Sequence, residues 1–405
     1  MKRLLSALLL LVFNAAAHLP PADALPPLRR ALARARADSA RGRLYWALGA
    51  VSDRSDSMVA LSQRAVWLLE RALPTARGAE RQRLLGLLGG AVNNLGVGYS
   101  EGGDKARPKA YYLRAARLRK QGGDVRGQVE SLWNLANWHR KQADYAGALR
   151  YLHRGIRAGE GVPAARAKVA RCFVSMGTLY GLLGDEAARL RYQLYALTMF
   201  EQNGEPLALL RSLNNVAYTY LNNHGDTARA EAYARRAQQL AANTPGAKKG
   251  LARFLELRGE IRLRQRCLAP ARAFLLDAHR LAACSKSAVR LAGIRNALAQ
   301  VEEAVGNILQ ALRYARQAAA AQGSTLAQRR DAEAILARLY ERLSQPRAAF
   351  VHFHRFVALS DGLRHEENKQ AGYRQRLRHE FERREAGLKA AQERRQAVAS
   401  AEIRR

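Results

Sequence analysis

The sequence predicts an all-α chain: a solenoid of about eight helix pairs followed by a long C-terminal helix. Three observations predict it. A phrase built on a small residue returns along the chain. It is clearest at Asn93 to Asp104, where Leu95-Gly96 is followed by Tyr99 and closed by Gly103-Asp104. It returns as Leu135-Ala136 with Ala143-Asp144, as Met176-Gly177 with Tyr180 and Gly184-Asp185, and as Val216-Ala217 with Tyr220 and Gly225-Asp226. The spacing is nearly constant. The small residues Gly49, Gly96, Ala136, Gly177, Ala217, Gly259, Ala299 and Ala337 stand 47, 40, 41, 40, 42, 40 and 38 residues apart. Such a period means stacked supersecondary units rather than a non-repetitive helical bundle. Finally, alanine, leucine and arginine dominate, and only 11 prolines occur in 405 residues, which favours helix over strand.

The chain opens with Met1-Lys2-Arg3, then an apolar run from Leu4 to Phe13, then small residues at Ala15-x-Ala17 and Ala22-x-Ala24. These are the charged, apolar and cleavage regions of a secretory signal peptide. The run falls well short of the roughly 20 residues that span a bilayer. Residues 1–24 are therefore expected to be an export signal. The protein is expected to be exported, either periplasmic or membrane-associated.

Residues 27–360 form the array. In its first pair, Arg30 to Val51 is expected to be one helix, carrying Leu32, Leu44, Trp46 and Leu48 at helical spacing. A polar turn leads to a second helix, Met58 to Leu73, capped by Asp56 or Ser57. From Gly96 onward each small mark opens the same sequel. A turn follows about seven residues later, at Gly103-Asp104, Ala143-Asp144, Gly184-Asp185, Gly225-Asp226, Arg266-Cys267, Gly306-Asn307 and Ser344-Gln345. A second amphipathic helix then begins, as in Tyr145 to Ala158, Ala187 to Phe200 or Arg347 to Leu359. The small residue lets the second helix of a pair approach closely. The aromatics Tyr99, Tyr180, Tyr220 and Tyr340 are expected to fill space between neighbouring pairs. Gly-Asp ends one helix and caps the next. A large apolar residue precedes every mark except Gly259, where Arg258 stands.

Residues 361–405 are charged and lack proline. Leu377, Phe381, Leu388, Ala391 and Val398 fall near a 3.5-residue seam, which predicts a long helix with modest coiled-coil character and a possible homodimer through it.

Across roughly residues 40 to 360, these marks, turns and aromatics resemble the tetratricopeptide repeat, in a version of about 40 residues rather than 34. The resemblance implies a right-handed α-solenoid whose first helices line a concave groove for a protein or peptide. The family's groove positions are the residue just before the large apolar one and the residue five before it. Carried over, they give Asn94, Asn134, Ser175 and Asn215, and Gly90, Glu130, Arg171 and Arg211. Asparagine amides can hold an extended backbone through both donor and acceptor, and Arg171 and Arg211 can take a carboxylate. The expected site is therefore Asn94, Asn134, Arg171, Arg211 and Asn215. The stretch from Glu366 to Glu393 is similar to the connector that follows the repeats in exported sensor histidine kinases of Bacteroidetes-like bacteria. That resemblance implies a sensory or adaptor part of a signalling system, although no transmembrane or kinase segment follows in this sequence.

The chain carries 68 basic against 34 acidic residues. The arginines are spread through every segment, with no nucleic-acid motif beside them, so a specific nucleic-acid partner is not expected. A structural scaffold, or less readily a polyanion binder, is the alternative to peptide binding. The sequence has no Walker loop, no His-Glu-x-x-His, no Gly-x-Ser-x-Gly and no dinucleotide fingerprint. His379-Glu380 lacks the context of a phosphoacceptor, and His352 and His354 lie on different sides of a helix. Cys172, Cys267 and Cys284 form no Cys-x-x-Cys. No catalytic residue, metal or cofactor is expected.

Overall fold

The first pair already shows how burial overrides a helical pattern. The stretch read as one helix from Arg30 to Val51 is two, α1 (Pro21–Arg34) and α2 (Asp38–Ala50), broken at residues 35–37. The break folds α1 back so that Leu28 packs with Leu44, Ala47 and Leu48 in one buried cluster. A continuous helix would leave Leu28 in water. The computed structural model describes residues 21–223, 225–244, 247–284, 288–365, 371–372 and 375. The expected signal peptide lies outside the described residues, as does most of the charged tail with its coiled-coil seam.

After α2 come α3 (Ser55–Ala72), α4 (Gly78–Glu101), α5 (Arg107–Gln121), α6 (Val125–Lys141), α7 (Tyr145–Gly159) and α8 (Arg166–Leu182). Then follow α9 (Glu186–Asn203), α10 (Pro206–Asn223), α11 (Thr227–Ala242), α12 (Lys248–Arg264), α13 (Leu268–Cys284), α14 (Ala288–Val305), α15 (Ile308–Ala319) and α16 (Leu326–Arg342). A last helix, α17, occupies 346–365 and runs through Asp361-Gly362 without a break. One exposed glycine costs a helix only about 1 kcal/mol, too little to end it. Among the described residues there is no strand, and the fold is an all-α solenoid of helix pairs. The chain divides into two compact units, Met1–Leu179 and Tyr180–Arg405.

Both units obey the same local rules. In unit 1, a Cβ added at Gly49 would stand 2.9 Å from Ser62 Oγ, and one at Gly96 would stand 2.6 Å from the Tyr112 ring. In unit 2, one at Gly259 would stand 2.5 Å from Leu275 Cγ. Ala136, Ala217 and Ala299 are buried at the corresponding places. The small residue sets how closely the two helices of a pair approach.

The turns are equally regular. Gly103, Gly184, Gly225 and Gly306 take φ of 85°, 77°, 64° and 91°, and Ala143, Arg266 and Ser344 take 59°, 59° and 55° in the same place. Left-handed backbone lets the next N–H bond back into the helix just ended, as Asp104 does to Tyr99 and Asp144 to His139, both at 2.9 Å. Asp144, Asp185 and Asp226 then accept the N–H three residues on at 2.8, 2.9 and 2.8 Å, which caps the second helix.

The aromatics do something other than expected. Tyr99 stacks on Tyr111, Tyr180 on Tyr192, Tyr220 on Tyr233 and Tyr340 on His352, with centroids 5.1 to 5.7 Å apart. His139 takes the same place against Tyr151 at 5.1 Å. Each stack joins the two helices of one pair, not neighbouring pairs. The ring sits one turn beyond the small residue, where an offset stack packs the two helices of the pair together.

Core burial runs along each unit in successive clusters. In unit 1, Leu69, Leu84, Leu88, Val92 and Ala115 form one. In unit 2, Leu213, Val216, Leu221, Ala234 and Ile261 form another, Leu275, Ile294, Leu298 and Val301 a third, and Ala311, Ile335, Leu336 and Leu339 a fourth. Each cluster draws on helices of at least two adjacent pairs. No pair buries its apolar faces alone, so stacking is the source of stability.

Candidate groove on the first helices of unit 2

At Arg258, before the one mark not preceded by a large apolar residue, an ion pair takes the place of apolar packing. Glu231 on α11 is 6 % exposed. Its Oε1 accepts from Arg258 Nη2 at 2.7 Å and from Arg262 Nη2 at 2.9 Å. Arg258 Nη1 also donates to Gln238 at 2.5 Å, and its guanidinium lies 4.2 Å from the Phe274 ring centroid. Where the other pairs use a large apolar side chain, this one ties α11 to α12 with a buried ion pair and reaches α13 through the Phe274 ring.

Counted from the small residue, positions six before, three before, one after and five after lie on one stripe of a helix. On α12 these are Arg253, Glu256, Glu260 and Arg264; on α14 they are Gly293, Asn296, Gln300 and Ala304. Every one except Arg253 lines an open groove of about 1040 Å³, joined by Tyr218 and Asn222 of α10 and by Gln328 and Asp331 of α16. Four successive first helices thus present one face to the same space, wholly within unit 2. A smaller cavity of about 110 Å³ shares Tyr218, Glu256 and Glu260 with it, and adds Asn214, Arg253 and Arg290.

The groove wall is polar, and most of it is internally paired. Arg290 Nη1 donates to Glu256 Oε2 at 3.1 Å, and Arg330 Nη2 donates to Asp331 at 2.6 Å. With its amide oxygen turned toward α12, buried Asn214 accepts from Arg253 Nε at 2.9 Å and Nη2 at 3.1 Å. Arg264 is turned to α10, donating to Leu221 O at 2.6 Å and Asn222 Oδ1 at 2.5 Å. Asn296, 6 % exposed, donates to Gln328 O at 2.8 Å, while its amide oxygen is buried without a donor among the described residues. Half-buried Glu260 has no hydrogen bond or ion pair among them. Burial, then the nearby Glu256 carboxylate, push it up to about 7, with Arg264 opposing. Burial likewise raises Glu256, opposed by Arg290 and Arg253.

The residues expected from sequence lie elsewhere. In unit 1, Asn134 Nδ2 donates to Asn93 Oδ1 at 3.0 Å, so this amide bridges adjacent first helices. Half-buried Asn94 keeps an amide nitrogen with no partner among the described residues. Arg171 is half-buried; burial raises the Glu130 carboxyl, but Lys168, Arg119 and Arg171 together hold it below its ordinary value. Arg119 Nη1 donates to Gly127 O at 2.7 Å and to Ser131 Oγ at 2.8 Å, and Ser131 Oγ donates to Asn93 at 3.2 Å. The structure thus joins Asn134 and Arg171 to one polar network. In unit 2, Arg211 is exposed and Asn215 half-buried, and neither lines the groove. The groove residues missed were legible in part. The position that gave Arg171 and Arg211 gives Arg253, Gly293 and Asp331 when carried three pairs further. Among the described residues no group of His, Cys, Asp or Glu is placed to hold a metal. Cys172 is buried, and burial pushes its thiol up to about 12, which disfavours the thiolate.

No protein-family model matches the chain, and no curated protein does. Solved structures do. The chain is similar to BtubC (BKLC) from P. vanneervenii at 18 % identity and a TM-score of 0.50, over 58 % of this chain and 94 % of that one. It is similar to aspartyl phosphate phosphatase F from Bacillus subtilis at 13 % identity and a TM-score of 0.51, over 82 % and 91 %. A tetratricopeptide repeat protein from Parabacteroides merdae aligns at 13 % identity and a TM-score of 0.43, over 66 % and 91 %. The likeness is one of fold. The pair geometry above is that of an α-solenoid of helix pairs, and the likeness brings no activity with it.

Proposed function

We propose that this chain is a non-enzymatic scaffold that binds an extended peptide or protein segment in the groove of unit 2. One observation carries the proposal: the first helices α10, α12, α14 and α16 line a single open groove with polar side chains. Concave faces of solenoids commonly hold partners along their length, and amides such as Asn222, Gln300 and Gln328 suit a peptide backbone. The amino-terminal signal pattern supports export, and the connector-like tail supports a sensory or adaptor role in signalling. Asn94, Asn134 and Arg171 in unit 1, and Arg211 and Asn215 in unit 2, remain proposed peptide contacts, each set within its own unit. No described helix is long and apolar enough to cross a membrane.

The test is to pan a display library of linear peptides against the full chain, synthesise the enriched peptides and measure their affinity. Ala304→Trp and Gln300→Trp, both at exposed groove positions, are expected to weaken binding about tenfold or more. Leu309→Trp, on the second helix α15 and 78 % exposed, is expected to leave it unchanged. Equal binding by all three variants would remove the groove from the account.

A second reading is a scaffold that dimerises through the helix expected over residues 361–405, and the adjoining α17 supplies one observation in its favour. On α17, Phe350, Phe353 and Val357 are 67 %, 53 % and 38 % exposed and follow helical spacing. Sedimentation of the full chain as a monomer excludes it.

A further inference from the structure

We propose that the groove of unit 2 takes a basic group of its partner, the guanidinium or ammonium of an arginine, lysine or terminal amine, against the Glu260 carboxyl. The inference rests on the groove being a peptide site and names what the peptide must carry. Its starting point is an anomaly of pairing. The chain holds twice as many basic as acidic residues, yet Glu260 stands half-buried in the groove wall with no hydrogen bond or ion pair among the described residues. Its neighbour four residues on, Arg264, is committed to Leu221 O and Asn222. Glu256 has Arg290 and Asp331 has Arg330. A second acceptor in the same groove lining is also unspent: the amide oxygen of Asn296, buried without a donor among the described residues. A carboxylate and an amide oxygen together are an acceptor set for a donor-rich cation. A carboxylate ligand, by contrast, would meet two glutamates.

The charged groups around Glu260 fix the pH behaviour. On its own helix these are Glu256, Arg253 and Arg264. Tyr218 faces it from α10, Arg290 from α14 beyond Glu256, Asp331 from α16, and Arg266 from the turn after α12. Of these, burial raises the Glu256 and Glu260 carboxyls. Glu260, pushed up to about 7, must release its proton to hold a cation at full strength. Affinity for a basic peptide therefore rises with pH through neutrality, and binding below it releases a proton.

The probe is a set of nonapeptide pools with a fixed central residue, arginine, lysine, citrulline or glutamate, and neutral randomised flanks. Their binding to the full chain is read by fluorescence anisotropy. At pH 8 the arginine and lysine pools are expected to bind about tenfold more tightly than the citrulline pool. Glu260→Gln is expected to erase that difference. In the unaltered chain, moving from pH 8 to pH 6 weakens the arginine pool; in Glu260→Gln it does not. If citrulline or glutamate pools bind as tightly as arginine, the basic-group preference falls and the peptide groove stands. If no pool binds, the peptide groove falls with it.

Discussion

Replacing Glu231 by alanine is expected to destabilise unit 2 by about 3 kcal/mol. The effect is large because the substitution strands charge rather than removing a contact. Arg258, only 12 % exposed in its side chain, loses its carboxylate and keeps one hydrogen bond, to Gln238. Arg262 is less affected, since it is 25 % exposed and also donates to Gln265 at 3.0 Å. Burying two ions and pairing them is nearly neutral against an apolar core, whereas burying one is not. The double change Glu231→Leu with Arg258→Leu is therefore expected to return stability to within about 1 kcal/mol of the starting chain. It also restores the large apolar residue that precedes the small mark in every other pair. Urea denaturation followed by circular dichroism measures both, and hydrogen exchange across α11 and α12 localises the loss. A double variant as unstable as Glu231→Ala would show that the pair is held by something besides charge.

The second large effect is steric. Gly122→Ala is expected to cost unit 1 about 2 kcal/mol. A Cβ there would lie 2.7 Å from Gln82 O, 2.9 Å from Gly86 N and 3.0 Å from Leu85 Cβ. Two of those atoms are backbone of α4, so no side-chain rotation relieves the clash and the helix itself must move. The backbone at Gly122, φ −82°, is open to any residue, so the cost is one of space. A loss below about 0.5 kcal/mol in the same urea titration would mean that α4 retreats freely, against the close packing of the core.

These two residues also show what sequence could and could not reveal. The repeat period, the small marks and all seven turns were readable, because each is enforced by local geometry. A close approach needs glycine or alanine, and a left-handed turn favours glycine. Even the non-glycine turn residues, Ala143, Arg266 and Ser344, kept their place because the bond back into the helix fixes it. Arg258 appeared only as an exception, since its partner Glu231 lies 27 residues earlier, on another helix. The break in the first helix was hidden for a similar reason: Leu28 finds its cluster only after the chain folds back. The aromatics were read correctly as packing, but their stacking partners stand in the second helix, where the sequence pattern is weaker. The groove was half legible. Its stripe follows from helical periodicity, but which pairs form an open space depends on how four helices stack, and on Arg264 turning away from Glu260.

The central claim is that a partner lies along the first helices of unit 2. A photo-crosslinking side chain, p-benzoylphenylalanine, placed at Gln300 and in a separate variant at Leu309, tests it most directly against the tightest panned peptide. The account predicts covalent capture of the peptide from position 300 and none from 309. Capture from 309 alone, or equally from both, would contradict it.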